Sequence, residues 1–311
     1  MVPADGLFLV WDEGPDGNVG NQIPTPKAVF ASNRRVNRCI HFQLSNFLSK
    51  RNAIQSMSKP VVGIIGSRFL INERRPVQRV GERNLRAVSE VADALPIIFA
   101  GAPDITDVGS LLDCVDGVML TGGRANVHPS HFGVEPHVSH EPYDQDRDAV
   151  ALEVTRACVE KGVPIFGICR GIQEMGVAFG STLHPEIRDL PGRMNHRAPR
   201  LENGDFHPDP KVVFTDRHEV RLTSDGVFAK IFGCETIRVN SLHGQAITEP
   251  GERIVVEGLA EDGTIEAVRI ADAAGFALGV QWHAEHDPQT NPINRALFRA
   301  FGKAVRDRKK N

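Results

Sequence analysis

The sequence lacks the features typical of secreted, membrane and nucleic-acid-binding proteins. Its five cysteines are an odd number and no two are closely spaced, so neither a disulfide framework nor a C-x-x-C metal site is indicated, and a reducing, cytoplasmic setting fits best. No apolar run approaches the roughly 20 residues that a membrane span needs. The formal net charge is −3, and the basic clusters are short and peripheral. We therefore expect neither a nucleic-acid partner nor a membrane partner.

The length and hydrophobic content are sufficient for one large domain with a sizeable core. The chain has 311 residues, of which 41% are hydrophobic. Residues 1–58 differ from the rest, because Gly, Pro and Asn recur and no apolar period is sustained. We predict that 1–58 form a loosely ordered N-terminal extension that catalysis does not need, and that 59–311 form the folded domain. A homodimer is the default expectation for a soluble enzyme.

From Pro60 onward, short apolar runs alternate with segments of helical period. Strands are predicted at 61–65, 96–99, 116–120, 164–168 and 276–280, and helices at about 77–94, 104–114, 144–161, from Gly171 and from Pro292. The alternation predicts an α/β fold with a mostly parallel central sheet flanked by helices, and an active site at the carboxyl ends of its strands. Short strands at 212–214, 253–257 and 264–269 predict a small antiparallel appendage.

Residues 167–171 read Gly-Ile-Cys-Arg-Gly, between a predicted buried strand and a predicted helix. A nucleophile elbow requires this strand–turn–helix context, because the nucleophile lies in a strained turn whose flanking positions must lack side chains. The turn would project Cys169 from the edge of the sheet, beside the backbone N–H of Arg170 and a helix start that favours a thiolate. We interpret Cys169 as a catalytic nucleophile rather than a buried structural cysteine.

A catalytic cysteine needs a base or an imidazolium partner, and residues 281–285 supply a candidate. His283 and Glu285 follow a predicted core strand and are two residues apart, so on an extended segment their side chains point to the same side. Glu285 can then accept a hydrogen bond from one imidazole nitrogen while the other nitrogen faces Cys169. The chain has twelve histidines, and the combination with the elbow is what favours this one.

Three motifs together resemble the γ-glutamyl-γ-aminobutyrate hydrolase family, which belongs to the class I glutamine amidotransferase-like superfold. They are Gly167-Ile168-Cys169-Arg170-Gly171-Ile172-Gln173-Glu174, Val239-Asn240-Ser241-Leu242-His243-Gly244-Gln245 and Gly279-Val280-Gln281-Trp282-His283-Ala284-Glu285. The resemblance extends from about residue 59 to the C-terminus, and three motifs in matching order are far more specific than one. It implies a flavodoxin-like α/β fold, hydrolysis of small-molecule γ-glutamyl amides, and a place in polyamine (putrescine) catabolism.

The resemblance also implies a mechanism. Cys169 would be the nucleophile, His283 the general base and acid, and Glu285 the carboxylate that orients His283. The thiolate would attack the γ-carbonyl, His283 would protonate the leaving amine, and water would then hydrolyse the γ-glutamyl thioester to release glutamate. This scheme requires no metal and no organic cofactor.

Backbone and substrate-binding positions are implied in the same way. The Thr121-Gly122-Gly123 segment resembles the family's oxyanion loop, so the N–H groups of Gly122 and Gly123 would join that of Arg170. The implied substrate-binding residues are Gln173, Asn126, Asn240, Ser241 and His243. The chain departs from the family pattern at Ala284 (usually proline), at Arg124 (usually a smaller residue) and over 197–210, a longer and more irregular segment that could form a lid. The last two departures bear on substrate choice.

Other functions stay open on the sequence. A glutaminase that passes ammonia to a synthetase partner would use the same triad, and the fold could also serve as a catalytically silent binding module. A serine-hydrolase-like esterase would have the order nucleophile, acid, histidine instead. Histidines stand at 128, 131, 137, 140, 184, 196 and 207. Their spacing fits loops rather than one ligand set, so we predict no metal site. The leaving amine could be γ-aminobutyrate, another polyamine-derived amine or an amino acid.

Overall fold

The computed structural model describes residues 58–205 and 207–310. Apart from Ser58, the predicted N-terminal extension lies outside these residues. Its loose order, its dispensability and the domain boundary at residue 59 therefore stay predictions. Within the described ranges, no helix is both long enough and apolar enough to cross a bilayer.

The described chain contains thirteen strands, nine of which form one sheet. They are β1 Val61–Ile65, β2 Ser67–Ile71, β3 Arg75–Arg79, β4 Leu95–Phe99, β5 Gly117–Leu120, β6 Ile165–Ile168, β7 Thr182–His184, β8 His218–Leu222, β9 Thr236–Val239, β10 Ala246–Glu249, β11 Ile254–Ala260, β12 Ile265–Ile270 and β13 Ala277–Val280. The order in the large sheet is β4-β1-β5-β6-β13-β12-β11-β8-β9. The first five of these are parallel and the last four antiparallel.

Helices cover both faces of this sheet. They are α1 Glu82–Arg86, which continues as a π-helical turn at Ala87–Val91, α2 Val108–Cys114, α3 Gln145–Glu160, α4 Arg170–Ala178, α5 Pro210–Val213, α6 Val227–Phe232 and α7 Pro292–Lys310. One apolar cluster joins the sheet to α2, α3 and α4 through residues such as Val154 and Ile172. A second cluster joins the opposite face to α1, α6 and α7 through residues such as Phe228 and Phe298. The three layers confirm the predicted α/β fold.

All five strands predicted for the parallel sheet are present, and their bounds agree to within one residue. Buried parallel strands read as continuous apolar runs bounded by turns, which is why the sequence located them well. The predicted antiparallel segment continues the same sheet, because β12 pairs antiparallel with β13 (Val268 opposite Gly279). Two additional two-stranded sheets, β2–β3 and β7–β10, complete the antiparallel structure of the described residues.

Three predicted elements are wrong in whole or in part, and one of them is the helix predicted over 104–114, which begins only at Val108. The segment 77–94 was predicted as one helix, but its start is β3, which pairs with β2 in a hairpin, and the helix begins only at Glu82. The hairpin partner lies just before the segment, and a helical period cannot reveal it. Residues 212–214 were predicted as a strand, but Val212 and Val213 lie in α5 and Phe214 is its C-cap. The Asp209 side chain accepts a hydrogen bond from the Lys211 N–H and Pro210 takes the first helical position, which together start a helical turn.

The sheet order places the three predicted site segments side by side. Strands β5, β6 and β13 are adjacent and parallel, with Leu120 opposite Gly167 and Ile168 opposite Val280. The segments that follow these strands are the Gly122–Gly123 loop, the Cys169 turn and the His283 segment. Since the carboxyl ends of parallel strands meet at one edge, the three segments converge there.

Candidate active site

Cys169 lies in a strained turn between β6 and α4. Its backbone has φ 51° and ψ −101°, a conformation that non-glycine residues rarely adopt. The turn is held at the sheet by a 2.8 Å hydrogen bond from the Cys169 N–H to the Val280 carbonyl. A Cβ at Gly167 would lie 2.5 Å from Met175 Sδ, and one at Gly171 would lie 2.4 Å from the Leu120 carbonyl oxygen. The two glycines of the motif are therefore required by close packing around the nucleophile turn.

Substituting Gly171→Ala should destabilise the fold around this turn. The added methyl would overlap backbone at Leu120, which cannot move aside as a flexible side chain could, so we expect a loss of roughly 1–3 kcal/mol in the free energy of unfolding. Gly109→Ala is the matched control, because its Cβ would approach nothing closer than 3.5 Å and alanine favours the helix by about 1 kcal/mol. Urea unfolding midpoints measure both. Equal midpoints for the two variants would contradict the close packing at Gly171.

The three candidate catalytic side chains lie close together. His283 Nδ1 lies 2.8 Å from Glu285 Oε1, and Cys169 and His283 both lie against Gly122. The fractional exposures of Cys169, His283 and Glu285 are 5%, 8% and 1%. Such an array can generate a thiolate, hold the imidazole in one orientation and exclude most water.

The charges in this array determine its protonation. Burial disfavours the imidazolium, but the negative charges of Glu285 and Cys169 outweigh it and raise the pKa of His283 to about 10. Burial also disfavours the Glu285 carboxylate, but the charge and hydrogen bond of His283 and the charge of Arg83 lower its pKa to about 2. His283 is therefore an imidazolium and Glu285 a carboxylate at neutral pH.

A cleft opens over the array. Its walls include the oxyanion loop 121–123, the start of α4 at Cys169, the segment 197–200, which belongs to the predicted lid segment, and residues 242–245. A Cβ at Gly122 would lie 2.7 Å from His283 Cε1 and 3.4 Å from Cys169 Cβ. The loop therefore lies directly against two of the candidate catalytic side chains, as its predicted role in binding an oxyanion requires.

Comparison with known proteins identifies the family. The family model for peptidase C26 matches residues 60–285, which contain the elbow and the His–Glu pair. This chain belongs to the peptidase C26 family. The γ-glutamyl-γ-aminobutyrate hydrolase PuuD of Escherichia coli K12 is 33% identical over 254 residues, which are 79% of this chain and 93% of the relative. A Mycobacterium tuberculosis protein, provisionally assigned as a glutamine amidotransferase, is 34% identical over 248 residues (78% and 75%).

Membership of peptidase C26 makes this chain a hydrolase and confirms the resemblance drawn from the three motifs. A solved structure from Thermoplasma acidophilum, provisionally assigned to a GMP synthase, covers 79% of this chain and 94% of its own, with a TM-score of 0.50 and 17% identity. At that identity the likeness shows the fold alone, which is the glutamine amidotransferase-like arrangement.

Most of the predicted site positions of this C26 hydrolase line the cleft. These are Gly122, Gly123, Arg170, Gln173, Asn126 and His243. The Arg170 guanidinium, however, points into the core, where it pairs with Asp148 at 2.5 Å. Only its backbone is then available to the cleft, in agreement with the predicted use of its N–H group.

Two predicted substrate-binding residues do not line the cleft. Asn240 holds the backbone of His283 instead, accepting from its N–H at 2.9 Å and donating to its carbonyl at 3.2 Å. Ser241 is buried against His196, whose carbonyl accepts the Ser241 hydroxyl proton at 2.9 Å. We therefore infer that Asn240 acts on the position of His283 and that Ser241 does not contact the substrate.

Two residues that the sequence did not indicate complete the surroundings of the triad. Arg83 Nε donates to Glu285 Oε1 at 3.0 Å. The Phe214 ring lies 5.7 Å from that of His283, edge to face, and stacks on His286 at 4.1 Å. Arg83 is 202 residues from Glu285 in the chain, so no local pattern could have paired them.

One group of side chains within 58–205 and 207–310 has the separation of metal ligands. His196, His243 and Glu266 are buried, with ligand atoms within 4.8 Å of one another. His196 Nδ1 lies 3.0 Å from Ser241 Oγ, and His196 Nε2 lies 2.9 Å from Asp262 Oδ2. Both ring nitrogens of His196 therefore already have hydrogen-bond partners within the protein, and we assign no metal to this group.

Proposed function

We propose that this chain hydrolyses γ-glutamyl amides through a γ-glutamyl thioester on Cys169. The observation that carries the proposal is the buried group of Cys169, His283 and Glu285, with His283 bonded to Glu285, in a cleft beside a glycine loop. The identity with E. coli PuuD over most of both chains supports the same reaction class. γ-Glutamyl-γ-aminobutyrate is accordingly the first substrate to test.

Acylation uses the Cys169 thiolate as the nucleophile and the His283 imidazolium as the acid. The Cys169 thiolate attacks the γ-carbonyl carbon, and the carbonyl oxygen becomes an oxyanion that accepts from backbone N–H groups of Arg170 and of the Gly122–Gly123 loop. Each such donor contributes about 3–4 kcal/mol to stabilising the transition state. The His283 imidazolium then protonates the leaving nitrogen, the C–N bond breaks, and the amine departs.

Deacylation uses the same groups in the reverse roles. Neutral His283 takes a proton from water, the hydroxide attacks the thioester carbonyl, and the same backbone donors hold the second oxyanion. The C–S bond breaks, glutamate leaves, and the Cys169 thiolate faces a protonated His283 again. Throughout, Glu285 stabilises the imidazolium and keeps Nδ1 as its donor.

Gln173 is suited to recognising the α-ammonium of the glutamyl group. Its Nε2 donates to the Gln245 carbonyl at 2.6 Å and to Gln281 Oε1 at 3.1 Å, so both amide hydrogens are used. The orientation leaves Gln173 Oε1, a pure acceptor, for a cationic donor in the cleft. Glutamine at this position therefore supports a substrate head with a free α-amino group.

The cleft is rich in arginine, which supports an anionic leaving group. Its lining contains Arg79, Arg83, Arg124, Arg197 and Arg200 against two carboxylates, Glu141 and Glu285. Arg124 is exposed and has no hydrogen-bond or ion-pair partner within the described part of the chain. Positive potential at the cleft favours amides of γ-aminobutyrate or of an amino acid over amides of a cationic polyamine.

Arg124→Ala tests the leaving-group preference. We expect the KM for γ-glutamyl-γ-aminobutyrate to rise roughly 3–5-fold, the effect of one exposed charge pair of up to about 1 kcal/mol. The KM for γ-glutamyl methylamide, whose leaving amine carries no carboxylate, should stay unchanged. Arg221→Ala on β8, outside the cleft, is the matched control. An equal rise in KM for both substrates would contradict a role for Arg124 in binding the leaving group.

The reaction class is tested by glutamate release from a panel of γ-glutamyl amides that includes glutamine. Fast release from amides of γ-aminobutyrate, with slow release from glutamine, supports the proposal. Rapid quenching followed by mass spectrometry should find one glutamyl group on the peptide that contains Cys169. Absence of release from every member by folded protein would overturn the proposal.

A partner-dependent glutaminase is the second candidate, favoured by the similarity to the M. tuberculosis protein provisionally assigned as a glutamine amidotransferase. The same triad would release ammonia from glutamine. Glutamine as the single accepted member of the panel, with release that rises when a synthetase is added, would favour this function over amide hydrolysis.

A further inference from the structure

A network of four buried charged side chains lies directly beneath the oxyanion loop. Arg147 and Glu174 are fully buried and form a bidentate pair, with Nε to Oε1 at 2.8 Å and an Nη to Oε2 at 3.0 Å. Arg170 pairs with Asp148 at 2.5 Å and with Glu174 at 3.2 Å. Burying four charges is costly unless they are paired, and each of the four has an oppositely charged partner here.

Arg147 uses its remaining donors on the oxyanion loop and its neighbour. One Nη donates to the Thr121 carbonyl at 2.5 Å. The other donates to Ser67 Oγ at 2.6 Å and to Thr121 Oγ1 at 3.3 Å. With the two bonds to Glu174, all five N–H donors of the guanidinium are engaged, so the guanidinium can neither rotate nor shift without losing a bond.

This contact determines which way the next peptide faces. In a planar trans peptide the C=O and the N–H point in opposite directions. The Thr121 carbonyl accepts from Arg147, so the N–H of Gly122 points away from Arg147. Gly122 lies against Cys169 and His283, and we infer that its N–H faces the cleft. The loop itself would not enforce this orientation, because Gly122 and Gly123 carry no Cβ and allow the peptide to turn over at little cost.

We propose that Arg147 is a positioning residue that locks the Thr121–Gly122 peptide so that the Gly122 N–H serves as an oxyanion donor. The role rests on the proposed amide hydrolysis and deepens it. Arg147 touches neither substrate nor Cys169, and it acts through the loop backbone. Glu174 in turn fixes the plane of the guanidinium. The Arg147–Glu174 pair therefore sets the orientation of the Thr121–Gly122 peptide.

The test is the double variant R147M/E174M, which removes one positive and one negative charge and leaves the Arg170–Asp148 pair intact. We expect kcat for γ-glutamyl-γ-aminobutyrate to fall about 10²-fold, the effect of one lost oxyanion donor, with KM within about twofold. The rate of Cys169 alkylation by iodoacetamide should stay within about twofold of wild type, because that displacement forms no oxyanion. A merely structural role would change all three quantities together.

Outcomes that contradict the proposal are distinct from failure of the proposed function. A wild-type protein without glutamate release would refute the hydrolysis itself. An active wild type and a folded double variant with unchanged kcat would overturn the positioning role, and so would equal losses in kcat and in alkylation. If the double variant does not fold, R147K is the test, because a lysine ammonium cannot bond Glu174 and Thr121 in the forked geometry of a guanidinium. We expect kcat of R147K to fall while its rate of Cys169 alkylation stays unchanged. An unchanged kcat would overturn the positioning role.

Discussion

Cys169→Ala is expected to lose glutamate release from γ-glutamyl-γ-aminobutyrate, with kcat lower by at least about 10⁴-fold. The substitution removes the atom that attacks the γ-carbonyl, while the 5% exposure of Cys169 means that little surface changes. Any residual rate would come from the oxyanion donors and from substrate binding alone. Stopped-flow or end-point glutamate assays at saturating substrate measure the loss.

Other cysteines of the chain provide matched controls for that result. Cys114 is exposed and Cys114→Ser should leave kcat unchanged. Cys158 is buried, and burial raises the pKa of its thiol to about 12, so wild-type protein treated with iodoacetamide at neutral pH should be alkylated at Cys169 and not at Cys158. Retention of activity in Cys169→Ala, with the protein folded, would refute the thioester mechanism and leave the reaction to another nucleophile.

Glu285→Gln is expected to lower kcat by roughly 10²–10⁴-fold, in the range seen when the orienting carboxylate of a triad becomes an amide. The amide keeps the size of the side chain but removes the charge that raises the pKa of His283 to about 10. An amide can also donate to Nδ1, which would stabilise the wrong tautomer of the imidazole. Steady-state kinetics with γ-glutamyl-γ-aminobutyrate measures this loss.

The dependence of kcat on pH should also change in Glu285→Gln, and the direction of the change can be predicted. His283 must be an imidazolium to protonate the leaving amine, and that form is lost as pH rises through its pKa. Without the Glu285 charge the pKa of His283 falls from about 10, so the basic limb of the kcat profile should move to lower pH. Arg86→Gln, at an exposed position on α1, is the control and should leave the profile unchanged. A basic limb that stays in place in Glu285→Gln would contradict the electrostatic role.

The sequence alone was sufficient to predict the fold class, and the candidate catalytic residues that it indicated lie together in the structure. Buried parallel strands can be located because they are short apolar runs. A nucleophile elbow requires glycines beside the nucleophile, so the elbow at 167–171 could be predicted from local sequence. His283 and Glu285 are two residues apart, which let their shared direction be inferred from the extended backbone. One prediction failed because the pairing partner lay outside the local window, as in the hairpin at Arg75–Arg79. Another failed at 212–214, where the local helix start at Asp209 and Pro210 was missed.

Only the tertiary structure determined how these residues are held. Asn240 clamps the His283 backbone from 43 residues away, Arg83 reaches Glu285 from 202 residues away, and Arg147 bonds to Thr121 across 26 residues. The sequence pattern around a buried arginine or a loop asparagine does not show which residue its side chain bonds to. The partner is decided by the order in which the strands pair and by the burial that forces each charged or polar group to find one. The sequence by itself therefore determined the fold class and indicated the candidate catalytic residues, and the packing of the sheet and helices decided how those residues are positioned.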